Sequence, residues 1–174
     1  MTYDLAQFCT DTRAALEGGP LKLALETIAT NVRKLIANEA FVRATFNDDL
    51  PAGKRELFHD EKTDFYVLAH VQAPGKTGSP HSHGNSWAVY ANARGSTGMT
   101  EYKRVNPESE EAVTLAVSDK YNIDAGQSRA YGPGMIHSTA HPEKAWVIRI
   151  TGTDLDHLPR YHFKKSRDRL LESA

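Results

Sequence analysis

Among the eight histidines of this 174-residue chain, His81 and His83 stand one residue apart in the segment PGKTGSPHSHGNSW. Side chains alternate faces along an extended chain, so imidazoles at i and i+2 point the same way and can reach one metal ion. A third ligand has to come from elsewhere. His137 is the candidate, because it ends GPGMIH, a turn rich in glycine and proline that leads into a strand. Three neutral imidazoles leave a divalent ion its full charge, so its open positions favour an anionic chelating ligand such as a thiolate, carboxylate or enolate. The ligand set suits catalytic zinc as well as iron, nickel, manganese or copper. A bare HxH also occurs for structural reasons alone. Its weight depends on the elements that surround it.

Those elements divide the chain in two. Residues 4–17 carry Leu5, Phe8, Cys9 and Leu16 at helical spacing, and Gly18, Gly19 and Pro20 stop the pattern. Leu21, Leu25, Ile28, Val32, Leu35 and Ile36 mark a second helix ending near Asn38; Phe41, Val42 and Phe46 continue it or begin a short third. After the breaker run 47–54 the period becomes two, with Phe65, Val67, Ala69 and Val71 alternating with Tyr66, Leu68, His70 and Gln72. Further strands are predicted at residues 87–91, 100–105, 112–117, 127–131 and 145–151. Many short strands separated by turn residues predict a sandwich or a barrel. The basic tail, with Arg160, Lys164, Lys165, Arg167 and Arg169 beside His157 and His162, reads as a solvated helix or terminal arm.

Length and composition narrow the function classes. A chain of 174 residues with 40% hydrophobic and 25% charged residues predicts one globular domain rather than a disordered or fibrous one. Lys plus Arg (21) nearly equals Asp plus Glu (22), so no global positive field draws a polyanion, and nucleic acid is not an expected partner. No apolar run approaches the roughly 20 residues of a membrane helix, and residues 1–10 do not read as a signal sequence, so a cytoplasmic chain without a membrane partner is expected. The single cysteine, Cys9, fits a reducing compartment and reads as a small buried hydrophobe of the first helix.

With their flanks, the histidines resemble the two motifs of the cupins. Gly75, then residues 76–80, then His81 and His83, with Gly95 closing, resemble the first motif. Gly126, Pro133, Gly134 and His137 resemble the second, with one extra residue before the proline and His141 where the family often has Asn. The resemblance spans residues 56–156. It implies a mainly β cupin double-stranded β-helix, a jelly-roll barrel, with N-terminal helices in 1–46 outside it and a C-terminal arm in 157–174, all in a single domain. Residues 84–90 hold no Asp or Glu to match the usual cupin carboxylate ligand, so a three-histidine site is expected. HSHGNSWAVY, with FYVLAHVQAPG before it and the helical front end, is most similar to the thiol dioxygenases: cysteine dioxygenase and the related 3-mercaptopropionate-type enzymes. That resemblance implies Fe(II) on His81, His83 and His137, O2 as co-substrate and oxidation of a thiol to a sulfinate. The Ser-His-Tyr relay of such enzymes aligns here with Val147, Arg149 and Thr151, and Ala88 stands where the animal enzymes have a cysteine cross-linked to the relay tyrosine.

Arg149 sits in an otherwise apolar strand and needs a partner, because an unpaired buried charge is costly. Either a substrate carboxylate or a salt bridge to Glu101 or Asp64 would serve. Tyr66, His70, Tyr90 and Tyr102 either line a cavity or belong to the sheet core, and Trp87 is expected to pack beside the site and exclude water. His141 precedes Pro142 in a predicted turn and reads as a solvated loop residue or an acid-base group. Three functions follow. In the first, an Fe(II) dioxygenase acts on a small anionic substrate that chelates the metal while Arg149 orients a distal carboxylate. In the second, a metal-dependent isomerase or lyase, with Zn, Ni or Mn as alternatives, uses the ion as a Lewis acid and His141 or a tyrosine to move a proton. The third is a ligand-sensing cupin without turnover. A homodimer is compatible with all three, since sheet edges are commonly covered in closed assemblies.

Overall fold

The computed structural model describes residues 3–158, 163 and 169–171. The helical half forms as the pattern requires. Helix α1 (Leu5–Glu17) starts at Asp4, whose carboxylate accepts from the Gln7 amide at 2.9 Å, and stops at Gly18. Helix α2 (Leu21–Ile36) begins directly after Pro20 and buries Leu25, Ile28, Val32, Leu35 and Ile36 along one stripe. Helix α3 (Glu39–Thr45) is a separate short helix, capped by the Asn38 side chain on the Ala40 and Phe41 amides.

The strands follow as β1 (Gly53–His59), β2 (Tyr66–Gln72), β3 (Lys76–Thr77), β4 (His81–Ser82), β5 (Ala88–Arg94), β6 (Thr97–Arg104), β7 (Thr114–Ile123), β8 (Ser128–Tyr131), β9 (Ile136–His141), β10 (Ala145–Thr151) and β11 (Arg169–Leu171). One sheet runs β1-β2-β10-β5-β8 and the other β11-β7-β6-β9-β3, with β4 also on β9. From β5 to β10 the chain passes back and forth between two antiparallel sheets. This is the mainly β jelly roll with N-terminal helices that the sequence leads one to expect.

The period of two assigns each side chain to a layer. Val67, Ala69, Val89, Ala91, Ile148 and Ile150 face the helices and pack with Phe8, Ile28, Val32 and Leu35. Ala88, Tyr90, Met99, Tyr131, Ala145 and Val147 form a second cluster between the sheets. The helices thus close one face of the first sheet, and the other face is left to line the barrel. Phe8 is fully buried in the helix-side core. Its replacement by alanine is expected to cost about 3–5 kcal/mol, because the surroundings collapse only partly around the lost ring. Guanidinium unfolding of the purified variant measures this.

Several elements depart from expectation. β1 was read as part of a breaker run and the polar segment after it; Lys54, Arg55 and Glu56 are exposed on an edge strand, where charge discourages pairing with other chains and hides the alternation. β7 runs to Ile123, beyond the predicted end at 117. β9 continues through His141, so this residue lies on a strand and is 3% exposed, not in a solvated turn. Cys9 is buried as expected, and burial first, then the Asp60 charge, pushes its thiol up to about 12, which keeps it unreactive. No helix among the described residues is long and apolar enough to cross a membrane. Of the basic tail, Arg160, His162, Lys164, Lys165 and Arg167 lie outside the described residues; the β11 backbone pairs in parallel with β7.

Candidate metal centre

Strand pairing brings the remote histidine to the adjacent two. β4 lies antiparallel to β9 with His81 directly opposite His137, and His83 follows in the turn. The two glycine-bearing turns are tied together, as the Gly134 amide donates to the Gly84 carbonyl at 2.8 Å. Gly95 ends β5 with φ 71°, and a Cβ there would meet the Lys144 carbonyl at 2.6 Å, so only glycine fits that corner.

One nitrogen from each of His81, His83 and His137 lies within 4.8 Å of the others. The ring centroids are 5.2, 4.8 and 4.9 Å apart. The His81 Nδ1–H donates to the Ser79 carbonyl at 3.0 Å, which fixes the tautomer and leaves Nε2 as the basic nitrogen. His137 is fully buried, and neither of its ring nitrogens has a hydrogen-bond partner. An orphaned buried imidazole costs free energy unless something engages it. A metal ion fits that requirement. Burial, then the neighbouring His81 and the Arg149 charge, push the His137 imidazole down to about 3; the Met135 carbonyl nearby, outside hydrogen-bond geometry, offsets only part of this. A ligand must be neutral to donate its lone pair, and this environment keeps it so.

The wall of the site is apolar and aromatic. The Tyr131 ring lies 5.2 Å from that of His137, and the Tyr90 ring 5.9 Å. Ala88, fully buried, faces inward beside Tyr90 with no carboxylate to offer. Tyr131 and Tyr121 hydroxyls meet at 2.7 Å, and Tyr121 donates to Glu101 at 2.5 Å. Glu101 stands opposite His137 on β6. This Tyr131–Tyr121–Glu101 chain was not foreseen, since its members come from three strands with no motif linking them.

A cavity of about 420 Å³ opens beside His81 and is bordered by His70, Lys76, Tyr90, His141 and Arg149 among others. Two of these are imidazoles that are not in the three-histidine cluster. His70 is 9% exposed with its Nε2 buried and unpartnered, and burial, then the charges of Arg149, Lys54 and Lys76, hold it well below the usual histidine range. His141 meets Thr97 Oγ1 at 3.4 Å, and that hydroxyl donates onward to Asn92 Oδ1 at 3.1 Å, so Nδ1 of His141 is the donor and Nε2 the base. Burial, then Lys76, lowers the His141 pKa, with the Ser96 carbonyl opposing.

Arg149 faces the cavity from β10, with Nε buried and unpartnered. The salt bridge weighed for it is not made: Asp64 engages His59 and Thr153, and Glu101 engages Tyr121. Among the described residues no carboxylate reaches it. Tyr66 and Trp87 are not brought to the cavity. Tyr66 stacks on His59 at 4.0 Å near the end of β2. Trp87 has the parity of Val89 and Ala91, so it packs into the helix-side core rather than beside the histidines. Tyr102 hydrogen-bonds Ser138 at 2.9 Å, away from the three rings. Val147 and Arg149 do face inward as the alignment with the relay strand implied, and neither is a relay residue. Lys54 and Lys76 were missed, because only the pairing of β1 and β3 brings these strands to the cavity.

No protein-family model matches this chain, and no curated protein matches it. Solved structures with a similar backbone include a cupin superfamily protein from Desulfitobacterium hafniense DCB-2, 12% identical over 63% of this chain and 84% of that one, with a TM-score of 0.45. An oxalate oxidase in complex with the substrate analogue glycolate is 14% identical over 70% of this chain and 60% of that one, TM-score 0.46. KdgF from Halomonas sp. is 16% identical over 64% and 89%, TM-score 0.44. Each of these likenesses is one of backbone course.

Proposed function

We propose that this chain is a metal-dependent enzyme in which His81, His83 and His137 hold one divalent ion, Fe(II) first, and that it oxidises a small anionic substrate, bearing a thiol or a carboxylate, with O2. The observation that carries the metal is His137: fully buried, neutral, and with both ring nitrogens unengaged. When bound, the ion supplies positive charge and open positions for a chelating anion and for dioxygen. The chain's own residues do the rest. Arg149 orients an acidic group of the substrate, Tyr90 and Val147 wall the cavity, and the packed barrel interior limits the water around the reacting atoms.

One observation favours a second reading, a non-oxidative isomerase or lyase with Zn, Ni or Mn. His141 is a neutral imidazole whose Nδ1–H is engaged by Thr97, which leaves Nε2 to take a proton from a bound substrate. Positions 147, 149 and 151 also lack the Ser-His-Tyr relay.

Metal analysis of protein purified without added metal, followed by oxygen uptake with a panel of thiols and diketones, separates the two. Near-stoichiometric iron and substrate-dependent oxygen uptake are expected. Zinc content with no uptake after iron reconstitution would count against the dioxygenase and for the second reading.

A further inference from the structure

We infer that Tyr131, Tyr121 and Glu101 form an electron exit from the metal centre to the surface, which spares the ligand histidines when the ion is oxidised with no substrate bound. This goes beyond the proposed function and rests only on its metal ion. The chain of contacts is continuous. The Tyr131 ring lies 5.2 Å from that of His137 and the residue is 2% exposed, so a reductant in solution does not reach it. Its hydroxyl meets that of Tyr121 at 2.7 Å, and Tyr121 donates to Glu101 Oε1 at 2.5 Å. A phenol has one hydrogen to give, so Tyr131 is the donor in the first contact and both hydroxyls point toward the carboxylate. Tyr121 is half-buried and borders two cavities other than the one beside His81, of about 300 and 420 Å³. The inner phenol touches a metal ligand, and the outer one meets solvent.

The arrangement suits the loss of an electron together with a proton. Phenols give up an electron more readily than imidazoles, and far more readily when the hydroxyl proton has an acceptor. Tyr90 also stands near His137, its ring at 5.9 Å, but its hydroxyl makes no hydrogen bond among the described residues. Tyr131 has the acceptor. When Tyr131 gives one electron to the oxidised centre, its proton passes to the Tyr121 oxygen, and the proton of Tyr121 passes to the Glu101 carboxylate. Tyr131 is then a neutral radical and Glu101 a neutral acid. A hydrogen atom moving from Tyr121 to Tyr131 carries the radical outward. The Arg129 guanidinium lies over the Tyr121 ring, 4.6 Å from its centroid, and disfavours a radical cation there, so electron and proton leave the ring together. A reductant in solution, ascorbate or a thiol, supplies an electron at Tyr121, and Glu101 returns its proton.

Hydrogen peroxide added to the Fe(II)-loaded protein without substrate, followed by freeze-quench electron paramagnetic resonance, tests this. Peroxide becomes water by taking one electron from the ion, one from the tyrosine pair and two protons from solvent. The parent is expected to show a tyrosyl radical that ascorbate discharges. Tyr131→Phe removes the inner phenol, Tyr121→Phe removes its acceptor, and Glu101→Gln keeps a hydrogen-bond acceptor but no base. Each should lose the signal, and Tyr90→Phe should keep it. Where the signal is lost, mass spectrometry should find more oxidation of His81, His83 and His137 than in the parent. A tyrosine pair that only fills the core would not link the radical to damage at the ligands. No radical in the iron-loaded parent, a radical that survives in Tyr131→Phe or Tyr121→Phe, one that ascorbate does not discharge, or equal histidine oxidation in parent and variants overturns the inference. If Tyr131→Phe does not fold, Tyr121→Phe and Glu101→Gln decide, since both stand at partly exposed positions. Failure of iron to load overturns the metal reading, and this inference with it.

Discussion

Replacing His137 with leucine is expected to abolish metal loading and to leave the metal-free protein more stable than the parent by about 1–3 kcal/mol, the cost of one unsatisfied buried polar group. The two effects have one cause. His137 is fully buried with two unpartnered nitrogens, so without an ion it is a defect in the core, and with one it is a ligand. Leucine has a similar volume and no polar atom, so it removes the defect and the ligand together. Two imidazoles remain, one fewer than catalytic sites of this kind use, and turnover should fall to background. Metal content by mass spectrometry and the urea midpoint of chelator-treated protein report the two halves separately. A variant that binds metal as the parent does would end the case for the centre. One that loses metal and is also destabilised would mean that His137 makes a structural contact the free-energy argument omits.

Acid should destabilise the metal-free protein over the window from about pH 6.5 down to pH 3. The unfolded chain takes up a proton at His137 near the usual pKa of about 6.5, whereas the folded chain refuses it until about 3. Between these values the unfolded state binds more protons, so stability falls as pH falls, by at most about 1.4 kcal/mol per pH unit for this one group. Above the window the contribution is complete and flat. His70 and His141 are shifted in the same direction and add to the slope. His137→Leu should therefore make the slope shallower without removing it. Urea midpoints of parent and variant at several pH values between 7.5 and 5 measure this. Parallel curves would show that His137 titrates in the folded state much as it does in the unfolded one.

What could be foreseen depended on whether the signal was local. His81 and His83 announce themselves by spacing, and the glycine and proline around His137 mark a turn into a strand, so the three candidate ligands were legible before any coordinates. The helices were legible for the same reason: Asp4, Gly18 and Pro20 punctuate stripes that repeat every three or four residues. β1 was not, because an exposed edge strand has little apolar alternation to show. His141 misled because Pro142 signals a turn, whereas the strand ends only at His141 itself. Trp87 misled because nearness in sequence to His83 says nothing of the face to which a side chain turns; the parity of β5 sends it to the helices and Tyr90 to the barrel.

The sequence by itself determined the donor chemistry, the helical front end and the alternation that makes one face of each strand apolar, since these depend on residue types and spacings of a few positions. The tertiary structure alone decided which groups share a space. It set His81 against His137, turned Arg149 and His70 into one cavity without an ion-pair partner for Arg149 among the described residues, and assembled Tyr131, Tyr121 and Glu101 from three strands. The physical reason is that pairing register and sheet closure are settled by the burial of the whole chain at once, so a contact between distant strands leaves no trace in either strand's own pattern.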